Sequence, residues 1–132
     1  MSDADFAGLH DAELIGVEID RANERARLTF QLENGRLQLM ELAGLKAFRS
    51  EDVTLQNVVS RFLCSSRGEI AGDQLDRWLS WATSLSDARS WLSEQRKDEW
   101  LVACASGDME LVVLEPSAGA QVVAVCESIS LR

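Results

Sequence analysis

The chain has 132 residues, 46% of them hydrophobic and 27% charged, with 22 acidic residues against 13 basic ones and a formal net charge of -9. This balance excludes a disordered polymer and disfavours a nucleic-acid binder working through a basic surface. No apolar run approaches the roughly 18 residues of a membrane span, and the acidic opening 1–8 argues against a signal peptide.

With no repeat, no low-complexity tract and a single proline, Pro116, residues 1–132 read as one domain. Ile15, Val17 and Ile19 alternate with Gly16, Glu18 and Asp20, the period-two pattern of a half-buried strand. Ala26, Leu28, Phe30 and Leu32 alternate in the same way, and Asn34-Gly35 then signals a tight hairpin. A two-residue turn there sets Leu32 opposite Leu37 and Phe30 opposite Leu39, and a bulge near Met40 would return Leu42 to the inner face. Leu45 to Ser50 reads as a short further strand. In Leu55 to Ser65, Val58, Val59, Phe62 and Leu63 fit a helix face. Val58, Phe62 and Cys64 fit one side of a strand, and the β-branched pair favours the strand.

The middle of the chain turns helical. Asp73 is the expected N-cap of a helix whose apolar stripe is Leu75, Trp78, Leu79, Ala82 and Leu85, with Trp81 at its border with solvent. Ser86 to Leu92 reads as a connector with Trp91 packed inward. Ser93 caps a second helix that buries Trp100, Leu101, Cys104 and Ala105 and stops at Gly107. Met109 to Leu114 and Gln121 to Cys126 are the closing strands, separated by Pro116-Ser117-Ala118-Gly119 and apolar on both faces. The fold class is α+β: an antiparallel sheet of about six strands, with two helices inserted after the fourth or fifth.

Chemistry-bearing motifs are sparse. Cys64, Cys104 and Cys126 lie in apolar surroundings with no CxxC or Cys/His spacing, which reads as buried free thiols in a reducing cytoplasm. His10 is the only histidine, and His10-Asp11-Ala12-Glu13 is the one local cluster of acid/base types; alternation separates the histidine from both carboxylates. Asp73 and Asp76 suit the positive end of a helix. Ser65-Ser66-Arg67-Gly68 reads as a turn. Neither a metal set nor a cofactor motif nor a nucleophile–base pair is present, so the reading is non-enzymatic, with no catalytic residues, no metal and no cofactor.

Charge is concentrated at the two ends. Residues 1–20 and 98–131 each hold six acidic residues and no lysine or arginine, whereas 21–97 holds 10 acidic and 12 basic. If the terminal segments are sheet neighbours, the molecule has an acidic side that steers a basic partner and repels nucleic acid. Asp11, Glu13, Glu18, Asp20, Asp108 and Glu110 are the expected partner-binding residues, with Trp81 as an aromatic anchor at the rim.

Leu9-His10-Asp11-Ala12-Glu13-Leu14, running into a strand that ends Ile19-Asp20, together with Leu55-Gln56-Asn57-Val58-Val59, resembles pieces of small uncharacterised bacterial proteins. Some proteins of that kind are immunity proteins for polymorphic toxins. The resemblance implies a cytoplasmic bacterial protein with a sheet-rich fold that binds another protein. The expected function is therefore a protein-binding domain, most concretely an immunity-type inhibitor with an acidic face. The alternatives are a small-molecule-binding or enzymatic domain with a pocket between sheet and helices, and a homo-oligomer joined through sheet edges.

Overall fold

The computed structural model describes residues 4–86 and 89–132. The expected acidic residue Asp3 and the connector positions Asp87 and Ala88 lie outside the described residues, as does the side chain of Asp5. The elements in order are helix α1 (Ala4–Ala7), strands β1 (Glu13–Asp20), β2 (Arg25–Gln31), β3 (Leu37–Ala43), β4 (Ala47–Glu51) and β5 (Val58–Cys64), a 3-10 turn (Ser65–Arg67), helices α2 (Gly72–Ala82) and α3 (Glu94–Ser106), and strands β6 (Glu110–Ala118), β7 (Gln121–Cys126) and β8 (Ser128–Leu131).

All eight strands join one antiparallel sheet in the order β4-β7-β6-β5-β1-β2-β3-β8. The class is α+β as expected and the helices follow the fifth strand, but the sheet has eight strands rather than about six. Ser128–Leu131 is too short to carry an alternating pattern of its own; it is a strand because β3 offers it a partner, with Met40 opposite Leu131 and Ala43 opposite Ser128.

The outer strands of this order are continuations of strands inside it. β4 follows β3 after Gly44-Leu45-Lys46, and β8 follows β7 after Glu127. Because β3 pairs with β8 and β4 with β7, the two bent runs zip together along their length and the sheet rolls into a barrel. The bend is bridged by hydrogen bonds from Glu127 N to the Ala43 carbonyl (2.9 Å) and from Lys46 N to the Val125 carbonyl (2.7 Å). At Gly44 φ is +63° and the Glu127 side chain occupies the space a Cβ would need, so the corner requires glycine.

Leu14, Ala26, Leu28, Phe30, Met40, Leu42, Phe62, Cys64, Val112, Leu114, Val122, Ala124, Cys126 and Ile129 fill the interior. The segment before β1 forms a plug. Phe6 and Leu9 are buried there, with the Phe6 ring 5.0 Å from that of Phe62. On the outside of the barrel, α2 and α3 cover Ala47, Leu111, Val113, Val123 and Val125 with Leu75, Leu79, Ala82, Trp100 and Cys104. That is why β6 and β7 are apolar on both faces.

Several local expectations are corrected. The Asn34-Gly35 turn places only Gly35 at positive φ (86°), and Leu32 N donates to the Arg36 carbonyl. This wider turn moves the register by one, pairing Phe30 with Gln38, Leu28 with Met40 and Ala26 with Leu42, so no bulge near Met40 is needed. The bulge lies in β1 instead, between Leu14 and Gly16. Ala71, not Asp73, is the N-cap of α2, whereas Ser93 caps α3 as expected by accepting from Arg96 N (3.2 Å). Leu85 and Ala105 are exposed, because each lies beyond the surface its helix presses on the sheet, and Trp91 is 54% exposed with one edge against Trp100. Pro116 lies inside β6, opposite Val59 at a bulged stretch, so the bend to β7 is left to Gly119-Ala120, with Gly119 at positive φ.

One polar side chain secures the seam. Asn57 is buried; its Oδ1 accepts from Thr54 N (2.9 Å) and Ala120 N (3.0 Å), and its Nδ2 donates to the carbonyls of Thr54 (2.8 Å) and Leu14 (3.4 Å). The Asn57→Ala variant leaves those buried groups unpartnered, so urea unfolding is expected to record a loss of about 2–4 kcal/mol. A loss near zero would mean that the clamp is dispensable.

Candidate functional site

The partner-binding residues expected from the sequence fall in separate places. β5 lies between β1 and β6, so the two acidic terminal segments are not sheet neighbours and no single acidic side forms from them. Four of the residues follow β1. Asp11, held at φ +66° just before the strand, and Glu13, its first residue, line one groove of about 350 Å³ with Glu33, Gln31, Leu32, Gln56 and Val58. No lysine or arginine lines it. Beside it, His10 Nε2 lies 3.5 Å from an Asp11 carboxylate oxygen while Nδ1 donates to the Ser60 carbonyl (2.7 Å).

No local pattern in the sequence marks Glu33, whose place depends on the β1–β2 register. Glu13 pairs with Gln31, and carrying that antiparallel register two residues outward sets Asp11 across from Glu33. Three carboxylates thus converge through the β1–β2 pairing and the turn that follows it.

Further along β1 the acids stand across the ladder from arginines. Glu18 stands opposite Arg27 and Asp20 opposite Arg25, while Glu41 on β3 takes Arg25 and Arg132, each at 3.1 Å. Asp20 accepts from the side chain (2.8 Å) and backbone (3.2 Å) of Asn23, and these hydrogen bonds hold its carboxyl below the ordinary carboxylate value. Asp20 therefore shapes the β1–β2 turn.

Glu110 opens β6 opposite Cys126 and accepts weakly from Ser66 N (3.3 Å); Asp108 is exposed in the preceding turn. Trp81 is half-buried on the helical layer, edge-on to Trp78, with the Arg49 guanidinium 4.1 Å above its ring and Arg49 donating to its carbonyl (2.9 Å). Its ring face is already occupied from within the chain. Arg49→Ala is expected to cost about 1–2 kcal/mol in thermal or urea unfolding, from the lost cation–π contact and hydrogen bond.

All three thiols are free and buried. Burial, with Glu110 nearby, pushes Cys104 up to about 11 and Cys126 up to about 12, and raises Cys64 further. The described residues contain no group of three or more histidine, cysteine or acidic side chains placed to hold a metal, and no described helix is long and apolar enough to cross a membrane. No protein-family model, curated protein or solved structure matches the chain.

Folded thiols that keep their protons while the unfolded chain, with a thiol pKa of about 8.5, releases its own make stability fall as pH rises above that value. Unfolding free energies measured across alkaline pH should decline by up to roughly 1.4 kcal/mol per pH unit for each thiol. The native protein should also resist a thiol-labelling reagent that reacts fully once it is unfolded.

Proposed function

We propose that the protein is a non-enzymatic binding domain that receives a basic segment of a partner protein in the groove of Asp11, Glu13 and Glu33. The observation that carries this reading is the convergence of three carboxylates on a groove with no lysine or arginine in its lining. Glu18 and Asp20, by contrast, each stand opposite an arginine in the ladder, whereas Glu13 stands opposite Gln31. A lysine or arginine from outside supplies the missing counter-charge, and the field of a chain with net charge -9 speeds its approach.

An immunity-type inhibitor covering the basic surface of a toxin is the concrete form of this function, in keeping with the resemblance of the Leu9–Leu14 and Leu55–Val59 pieces. The same reading puts the protein in the cytoplasm, where buried free thiols stay reduced. Side chains fill the barrel interior, which favours recognition on the outer surface over a ligand held inside.

The test is the combined reversal Asp11→Lys, Glu13→Lys and Glu33→Lys, with association to a basic partner from the source cells followed at low and high salt. Association is expected to slow about tenfold or more at low salt, with the difference shrinking at high salt. An unchanged association rate would remove the groove from the binding surface.

A further inference from the structure

β1 has two flanks of very unequal extent. β2 pairs with it from Glu13 to Asp20, whereas on the other side, among the described residues, β5 meets it only at Glu13 opposite Val58. Ile15 to Asp20 therefore continues as an edge strand. Its apolar side chains are open to solvent: Ile15 is 52% exposed, Val17 42% and Ile19 50%. Edge strands are normally protected by charge, proline, shortness or a bulge, and the bulge of β1, between Leu14 and Gly16, marks only the start of this stretch. Between Ile15 and Ile19 the only charged residue is Glu18, and Arg27 stands opposite it on β2.

The segment Ile15-Gly16-Val17-Glu18-Ile19 is symmetric in its apolar positions about Val17. A two-fold contact needs this property, since the same patch must complement itself. We infer that β1 is a dimerisation strand, pairing antiparallel with the β1 of a second copy of this chain in a register centred on Val17. In that register Val17 meets the partner's Val17 and Ile15 meets the partner's Ile19. Glu18 lies opposite the partner's Gly16, which has no side chain to crowd it. Neighbouring registers are worse. Centring on Glu18 sets two carboxylates against each other, and centring on Gly16 sets Ile19 against the partner's Glu13. The dimer joins two barrels through a continuous sheet and covers the exposed apolar edge of each. It does not depend on the acidic groove.

Sedimentation of the wild-type chain across micromolar concentrations tests this directly, alongside Val17→Lys and Val17→Cys. The wild type is expected to be a dimer with a thermal midpoint that rises with protein concentration, and Val17→Lys to weaken dimerisation about tenfold or more and to lose that concentration dependence. Directly opposed strand residues lie within disulfide reach. Mild oxidation should therefore link Val17→Cys across the two-fold axis, while Val102→Cys, on the exposed side of α3, should not link. The three buried native thiols keep the background low. A wild-type monomer throughout the range overturns the inference, as does a dimer that Val17→Cys fails to link. Should Val17→Lys not fold, the cross-link decides alone.

Discussion

The barrel closes at its weakest join. Every other neighbouring pair of strands shares an extended ladder, but β1 and β5 share a single register pair, Glu13 with Val58. Hydrogen bonds on either side supplement that join, from Leu14 N to the Asn57 carbonyl and from Val59 N to the Ala12 carbonyl, both 2.8 Å. Asn57 then links the β4–β5 loop, the start of β1 and the β6–β7 turn through one side chain. A buried amide satisfied on both its oxygen and its nitrogen can specify this arrangement, because any other closure would leave its groups without partners. Gly119 takes part by default: at φ +78° it lies against the Asn57 side chain and the Gln56 carbonyl, where a Cβ would collide.

The rest of the molecule follows from that closure and from the zip of β3–β4 along β7–β8. Rolling the sheet encloses one face of the strands except along the later part of β1, and α2 and α3 enclose the second face over β4, β6, β7 and Leu63 of β5. β1 and β2 thus have no helical cover. The two layers also divide the aromatic residues. Phe6, Phe30 and Phe62 belong to the barrel, and the tryptophans to the helical side, where Trp78 and Trp81 meet edge to face and Trp91 meets Trp100 in the same way.

Charge is sorted by register more than by chain position. Acidic residues that looked equivalent as sequence neighbours differ once the ladder is formed: Glu18 and Asp20 face arginines, and Glu13 faces Gln31. What distinguishes the Asp11–Glu13–Glu33 groove is therefore the lack of a cross-strand cation, together with the turn that returns Glu33 to the same surface. The exposed edge of β1 begins beside this groove, so one strand carries both the acidic and the apolar features proposed for recognition.

The amino-acid sequence by itself determined the α+β class, the alternation of β1 and β2, the hairpin at Asn34-Gly35, the Ser93 cap and Gly107 stop of α3, and the burial of all three cysteines. Each of these is written in a pattern a few residues long: period two, a capping hydroxyl, a glycine at positive φ, or a thiol among apolar neighbours. Tertiary structure alone decided the barrel, because closure depends on β8 finding β3 and on Asn57 joining three segments distant in the chain. It also decided the fate of Ile15, Val17 and Ile19. Their alternation marks a strand with an apolar side, and Val17 and Ile19 do align with the inward-facing Leu28 and Ala26. A local pattern cannot record how far the neighbouring strand extends, and β5 starts at Val58, opposite Glu13, leaving no β5 residue beside them.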